Sequence, residues 1–202
     1  MPERLTIRKE TTLTHAFDVE ERMASCPLDH TVKGMFFARF VDMATRIGVK
    51  AESLPLDRPV ENGRYVAFRD YPIRDYMRWA AAAAAKAHPR VAVSEGLRRV
   101  AGDDFARYLD SGLGKVMLAF FSDARSVMQR SGQIYAMVTK GPRIESEARG
   151  DEILIRYRDY HGPLECYPVG TLEGACRHFG ARCEIQIEVL SPSSADYRVR
   201  IL

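Results

Sequence analysis

No stretch of this 202-residue sequence approaches the roughly 20 consecutive apolar residues that a membrane-spanning helix needs. The opening MPERLTIRKE also lacks the apolar core of a secretory signal. Both absences point to a cytoplasmic protein with no membrane partner. Cysteine is scarce, with four residues and no CxxC spacing, and the five histidines form no HxxxH pair. In a reducing compartment such cysteines stay thiols, and their spacing argues against a structural zinc site. An excess of one charge is missing too. Thirty Lys and Arg against 27 Asp and Glu leave +3, with the signs interspersed, whereas duplex binders concentrate basic residues on one element. Nucleic acid is therefore not expected as a partner. The stretch Ser111-Gly112-Leu113-Gly114-Lys115 falls short of GxxxxGK[ST] and follows no strand, so it reads as a turn between helices.

What is present is an ordinary globular composition, 46% hydrophobic and 28% charged. The length suits one domain, with a mainly helical half over 1–140 and a half built of antiparallel sheet plus helix over 141–202. The second half carries the clearest pattern. Around Gly150-Asp151, Ile144, Ser146, Ala148, Ile153, Ile155 and Tyr157 alternate with charged residues; Cys183, Ile185, Ile187, Val189, Tyr197, Val199 and Ile201 do the same further on. Period-two alternation of this kind marks half-buried strands. Between the two hairpins, residues 164–179 read as a helix, ended by Gly180 in a left-handed cap. Gly170 and Gly174 give it a side-chain-free stripe that implies close backbone contact, expected with the sheet beneath it, the alternative being a subunit boundary. Upstream, helical spacing covers 31–47 and resumes after Tyr71-Pro72 through Trp79 to Ala85, while Pro55, Pro59 and Asn62-Gly63 make 52–64 an irregular connection and a hinge candidate. Two or three further helices fill 91–139. The fold class is α+β: a helical part, then a four-stranded antiparallel sheet with one crossing helix, in the order β-β-α-β-β.

Residues that carry chemistry are few. Cys166, Cys176, His178 and Cys183 lie close in sequence, but Cys176 falls on an apolar helix stripe and Cys183 on an inward strand face, which suits packing better than nucleophilic or metal chemistry. The acidic neighbours Asp103-Asp104 and Glu20-Glu21 need not converge on a substrate. These residues point to a non-catalytic protein without cofactor or metal. Arg74 and Arg78, one helical turn apart, are candidates for an anion clamp. An apolar ligand cavity is expected between the helices and the sheet, with Trp79 and Met117 facing Tyr157, Ile185 and Tyr197, and the Tyr157 hydroxyl as polar anchor.

Three groups of residues carry a family resemblance: Thr31-Val32-Lys33-Gly34-Met35-Phe36-Phe37, then Asp70-Tyr71-Pro72 with Trp79-Ala80-Ala81, and Gly170-Thr171-Leu172-Glu173-Gly174. Together they resemble a myxobacterial paralogous family of unknown function and similar length. More distantly, residues 153–202 resemble the C-terminal half of the haem-NO-binding domains, the vinyl-reductase-type sensors and the TRAPP-like trafficking subunits. The haem branch implies an axial histidine on a helix before the sheet and a YxSxR motif for the propionates. Here no histidine lies between His88 and His161, and Tyr157-x-Asp159-x-His161 stands at that spacing. The superfamily therefore implies a small-molecule-binding or signalling module without haem. The alternatives are a TRAPP-like interaction subunit with a filled core, acting as a homodimer or with another protein, and an enzyme of unrecognised type.

Overall fold

A computed structural model describes the chain except residues 1–2, 9, 15–17, 61–63, 111–113 and 115–120. In chain order the elements are β1 (Glu3–Ile7), α1 (Val19–Ala24), β2 (Thr31–Lys33), α2 (Gly34–Arg46), a 3-10 turn (Ala51–Ser53), β3 (Asp70–Pro72), α3 (Ile73–Ala87), α4 (Val93–Asp110), α5 (Ala124–Gln129), α6 (Ser131–Val138), β4 (Thr139–Lys140), β5 (Arg143–Arg149), β6 (Glu152–Arg158), α7 (Tyr167–His178), β7 (Cys183–Ser191) and β8 (Ser194–Ile201). Among the described residues, no helix is long and apolar enough to cross a membrane.

The two expected hairpins form. Gly150 takes φ +60° at the turn that pairs Arg149 with Glu152, a conformation glycine adopts without steric cost. Ile153, Ile155, Ile185, Tyr197 and Val199 are fully buried on one face of the sheet. The other face is laced by cross-strand ion pairs such as Arg156–Glu147 at 2.9 Å and Arg200–Glu152 at 3.2 Å. Leu154 breaks the alternation: it points to the charged side yet is buried, in a recess it shares with Arg149, Arg156 and Arg198, whose aliphatic stems can shield it.

The sheet has five strands, not four, in the order β1-β7-β8-β6-β5. The added strand β1 pairs antiparallel with β7, setting Leu5 opposite Ile187 and Ile7 opposite Ile185. It went unrecognised because its alternation rests on only two apolar residues. A second, three-stranded sheet of order β3-β2-β4 was also unforeseen. In it Val32, which fits the helical periodicity, instead pairs with Tyr71, and the helix begins at Gly34.

Helix α7 has two different faces, and the structure corrects their assignment. Its glycine stripe meets α4, not the sheet: a Cβ on Gly174 would lie 2.5 Å from the Gly102 carbonyl oxygen, and one on Gly170 would overlap the Arg98 carbonyl. The sheet lies on the other side, where the Tyr197 hydroxyl donates to the Leu164 carbonyl just ahead of α7. Helix α3 packs on α4 in turn, with the buried Ala84 near Gly96. The alanine run thus serves close helix packing. Part of the connection before α3 is fastened, since the Asp57 and Arg58 backbone N–H groups donate to the Asp75 carboxylate at 2.8 and 2.9 Å; residues 61–63 of the expected hinge lie outside the described residues.

Candidate functional site

Of the residues expected around an apolar cavity, the sheet members come together. The rings of Tyr157 and Tyr197 lie 4.7 Å apart by centroid, Tyr160 approaches Tyr157 at 5.4 Å, and Ile185 is buried on the same sheet face. Burial pushes the Tyr157 phenol far above its ordinary pKa, so it is a neutral hydroxyl. Trp79 belongs elsewhere. It sits on α3, which packs against α1, α2 and α4, and its indole N–H, lacking a well-aligned partner, faces Tyr65. Tyr65 in turn stacks on Phe37 at 4.5 Å. Met117 lies outside the described residues.

Arg74 and Arg78 are brought together, but around carboxylates of the chain itself. Arg78 is buried and donates to both Glu20 oxygens at 2.8–3.1 Å, to Asp57 at 2.6 Å and to Asp75 at 3.1 Å. Arg74 pairs with Asp57 at 3.1 Å. These cations hold α1 and the 3-10 connection against α3. Their helical spacing was visible in the sequence; their partners, distant along the chain, were not.

The segment after β6 carries Asp159 in the left-handed region, φ 55°, with its carboxylate on Arg143 at 3.1 Å. His161 turns toward α1 and shares a 3.2 Å hydrogen bond with Ser25, and its ring meets His30 edge-on at 5.4 Å. Burial, then the neighbouring His30, pushes the His161 pKa below its usual value, against the pull of Asp159. The folded state thus favours neutral imidazole. The resulting stability is complete above the unfolded pKa of about 6.5 and is lost as the pH falls through the lower folded value. Melting temperatures recorded from pH 8 down to pH 5 should therefore decline more steeply in the wild type than in His161→Gln. Parallel curves would exclude His161 as a source of acid lability.

A cleft that no sequence pattern indicates lies elsewhere, among described residues. It has a volume of about 590 Å³ and is formed by the Thr11-Thr12 segment, α4, α7 and the first residue of β7. Arg98 organises it. This side chain is only 6% exposed, grips Glu173 with two hydrogen bonds of 2.6 and 2.8 Å, and donates to the carbonyls of Arg8, at 3.0 Å, and Thr11. Glu95, also buried, accepts from the Leu13 N–H at 3.2 Å and from Arg99 at 2.7 Å. Burial opposes the Arg98 charge, but the hydrogen bonds and attraction of Glu173, followed by Glu95, outweigh it and raise its pKa. Arg177, Arg182 and His88 complete the polar wall, and Cys176 and Cys183 reach the cleft from below. No sequence motif announces this site, because its residues come from four separate segments. Among the described residues no three His, Cys, Asp or Glu side chains converge as metal ligands.

Residues 27–200 match the family described as protein of unknown function (DUF2378). No curated protein matches the sequence. Solved structures that share the fold include two H-NOX domains. A crystal structure of an Fe(II) unliganded H-NOX protein mutant from K. algicida aligns with TM-score 0.58 at 16% identity, covering 84% of this chain and 96% of its own. An NMR structure of an H-NOX domain mutant from Shewanella oneidensis in the Fe(II)CO ligation state gives TM-score 0.58 and 16% identity, covering 82% and 97%. The residues of this chain do not fit haem. Helices α4, α5 and α6, which precede the β5–β6 hairpin, contain no histidine to ligate iron. At the propionate-binding spacing, Asp159 faces Arg143, and His161 stands in place of the arginine.

Proposed function

The chain belongs to the DUF2378 family, and we propose that it is a non-catalytic small-molecule-binding signalling module that uses the H-NOX fold without haem. The cleft of about 590 Å³ carries this reading, since its size lies within the range of ligand pockets and α4, α7 and the start of β7 line it. Its charged groups are held in fixed pairs before any ligand arrives, which lowers the ordering cost of binding. The lining suits a polar, charged metabolite, unlike the apolar ligand expected from Trp79, Tyr157, Ile185 and Tyr197. One cytoplasmic domain, with a helical half over 1–140 and a sheet half over 141–202, and kinship with myxobacterial paralogues belong to the same proposal.

Native mass spectrometry of the protein purified from its source organism tests it. The expected result is a small mass excess over the polypeptide, reduced in Arg182→Glu, which reverses a charge at the cleft. A bare polypeptide in both would overturn the reading. Retention of a second protein chain in its place would favour an interaction subunit, for which Phe68, 77% exposed, and Val66, 59% exposed, offer apolar contact.

A further inference from the structure

Two of the four thiols meet at the floor of the cleft. Helix α7 ends in a Schellman turn: the Ala181 N–H donates to the Cys176 carbonyl at 2.9 Å, the Gly180 N–H to the Arg177 carbonyl at 3.1 Å, and Gly180 takes φ +68°. This turn reverses the chain within a few residues and brings Cys183, the first residue of β7, back beside Cys176. Both thiols border the cleft, near enough that each shifts the other's ionisation. Cys26 and Cys166 are also reduced and buried, but neither borders the cleft.

We propose that Cys176 and Cys183 are a redox-active dithiol that hydrogen peroxide converts to an intramolecular disulfide. The thiolate of Cys176 attacks one peroxide oxygen; an S–O bond forms, the O–O bond breaks, and the departing hydroxide takes up the proton that Cys176 released, giving water. The sulfur of Cys183 then attacks the sulfenic sulfur. The S–S bond forms, the S–O bond breaks, and the Cys183 proton leaves with the hydroxyl as a second water. Two thiols are oxidised and one peroxide is reduced, with no further reagent.

The surroundings favour this order of events. The neighbouring Cys183 thiol lowers the Cys176 pKa, against burial and Glu173, while that of Cys183 is raised. Arg98 attracts negative charge at the pair. Thiolates in cationic, hydrogen-bonded settings are the reactive ones. Exposure of only 1% for Cys176 and 5% for Cys183 restricts access to a small, uncharged oxidant entering through the cleft. The spacing that fails as a metal motif suits a disulfide, because the Gly180 turn folds the intervening residues out of the way.

The test uses the intact, reduced wild-type chain. It is treated with hydrogen peroxide, denatured, alkylated, weighed and digested with trypsin. The expected product has lost two hydrogens and takes up two alkyl groups in place of four. Because trypsin cleaves after Arg158, Arg177 and Arg182, Cys183 falls on a different peptide from Cys176; the two peptides should appear joined, with fragmentation placing the alkyl group on Cys166, which shares the Cys176 peptide. A Cys26→Ser/Cys166→Ser variant should react at the wild-type rate, and Cys183→Ser should stop at a sulfenic acid that dimedone traps on Cys176. Four alkylated thiols after treatment, a bond to Cys26 or Cys166, or Cys176 carried to sulfinic acid without a bond would each overturn the assignment. The result does not depend on whether the cleft retains a metabolite, since oxidation is read on the sulfur atoms.

Discussion

Gly170→Ala is expected to lower stability by about 2 kcal/mol, although alanine is the better helix former. The propensity gain is about 0.5–1 kcal/mol. Against it stands overpacking, which typically costs about 1–3 kcal/mol, and here the new methyl would overlap the backbone carbonyl of Arg98 and press on Ala101. A flexible side chain could rotate away; a backbone carbonyl inside α4 cannot. Helix α4 would have to lift from α7, loosening the contact at Gly102 and Gly174 as well. Gly150→Ala is the control, since its Cβ meets nothing and only the strain of φ +60° remains, a cost of about 1 kcal/mol. Urea denaturation of both variants checks the ranking. A Gly170→Ala midpoint at or above the wild-type value would show that the two helices do not pack this closely.

That contact also marks how far the sequence could be read. Both stripes of α7 were visible from spacing alone, since Gly170 and Gly174 share one face and Leu172, Ala175 and Cys176 another. Which neighbour each stripe meets depends on α4, some seventy residues earlier, and no local pattern encodes it. The hairpins were legible for the opposite reason: partners joined by a short turn carry their own register, and water on one side imposes period two. Strands β2 and β3 fail both conditions. Each has three residues, and Val32 finds Tyr71 only after α2 and a long connection have been placed. The candidate site follows the same logic. Tyr157 and Tyr197 were legible as inward residues because each hairpin alternates with period two, and the pairing of β6 with β8 then sets them on one face. Arg98, the residue that shapes the cleft, looked like any surface arginine, because its partners at Arg8, Thr11 and Glu173 lie 75 to 90 residues away. The one local hint was the Gly180 cap between Cys176 and Cys183, which implies a tight reversal and so a meeting of the residues on either side.

Arg98→Met should be the most damaging change at the cleft, lowering stability by about 3–5 kcal/mol, the usual cost of removing one member of a buried ion pair. The hydrophobic volume is nearly kept, so packing contributes little of this loss. What remains is the carboxylate of Glu173, facing a methionine in place of two hydrogen bonds of 2.6 and 2.8 Å, and the carbonyls of Arg8 and Thr11 without their shared donor. Arg98→Lys should recover only part of the loss, because an ammonium cannot reach both Glu173 oxygens and two carbonyls with one planar fork. The double variant Arg98→Met/Glu173→Gln separates the causes. If the uncompensated, partly buried Glu173 carboxylate dominates, the second change should restore about 1 kcal/mol, the low end of the desolvation penalty of an unpaired group, and the two substitutions will be non-additive. Guanidinium denaturation of the three variants gives these differences directly. A loss below about 1 kcal/mol for Arg98→Met, a value typical of exposed pairs, would mean that water reaches the guanidinium and that the N-terminal segment, α4 and α7 are not tied through this side chain.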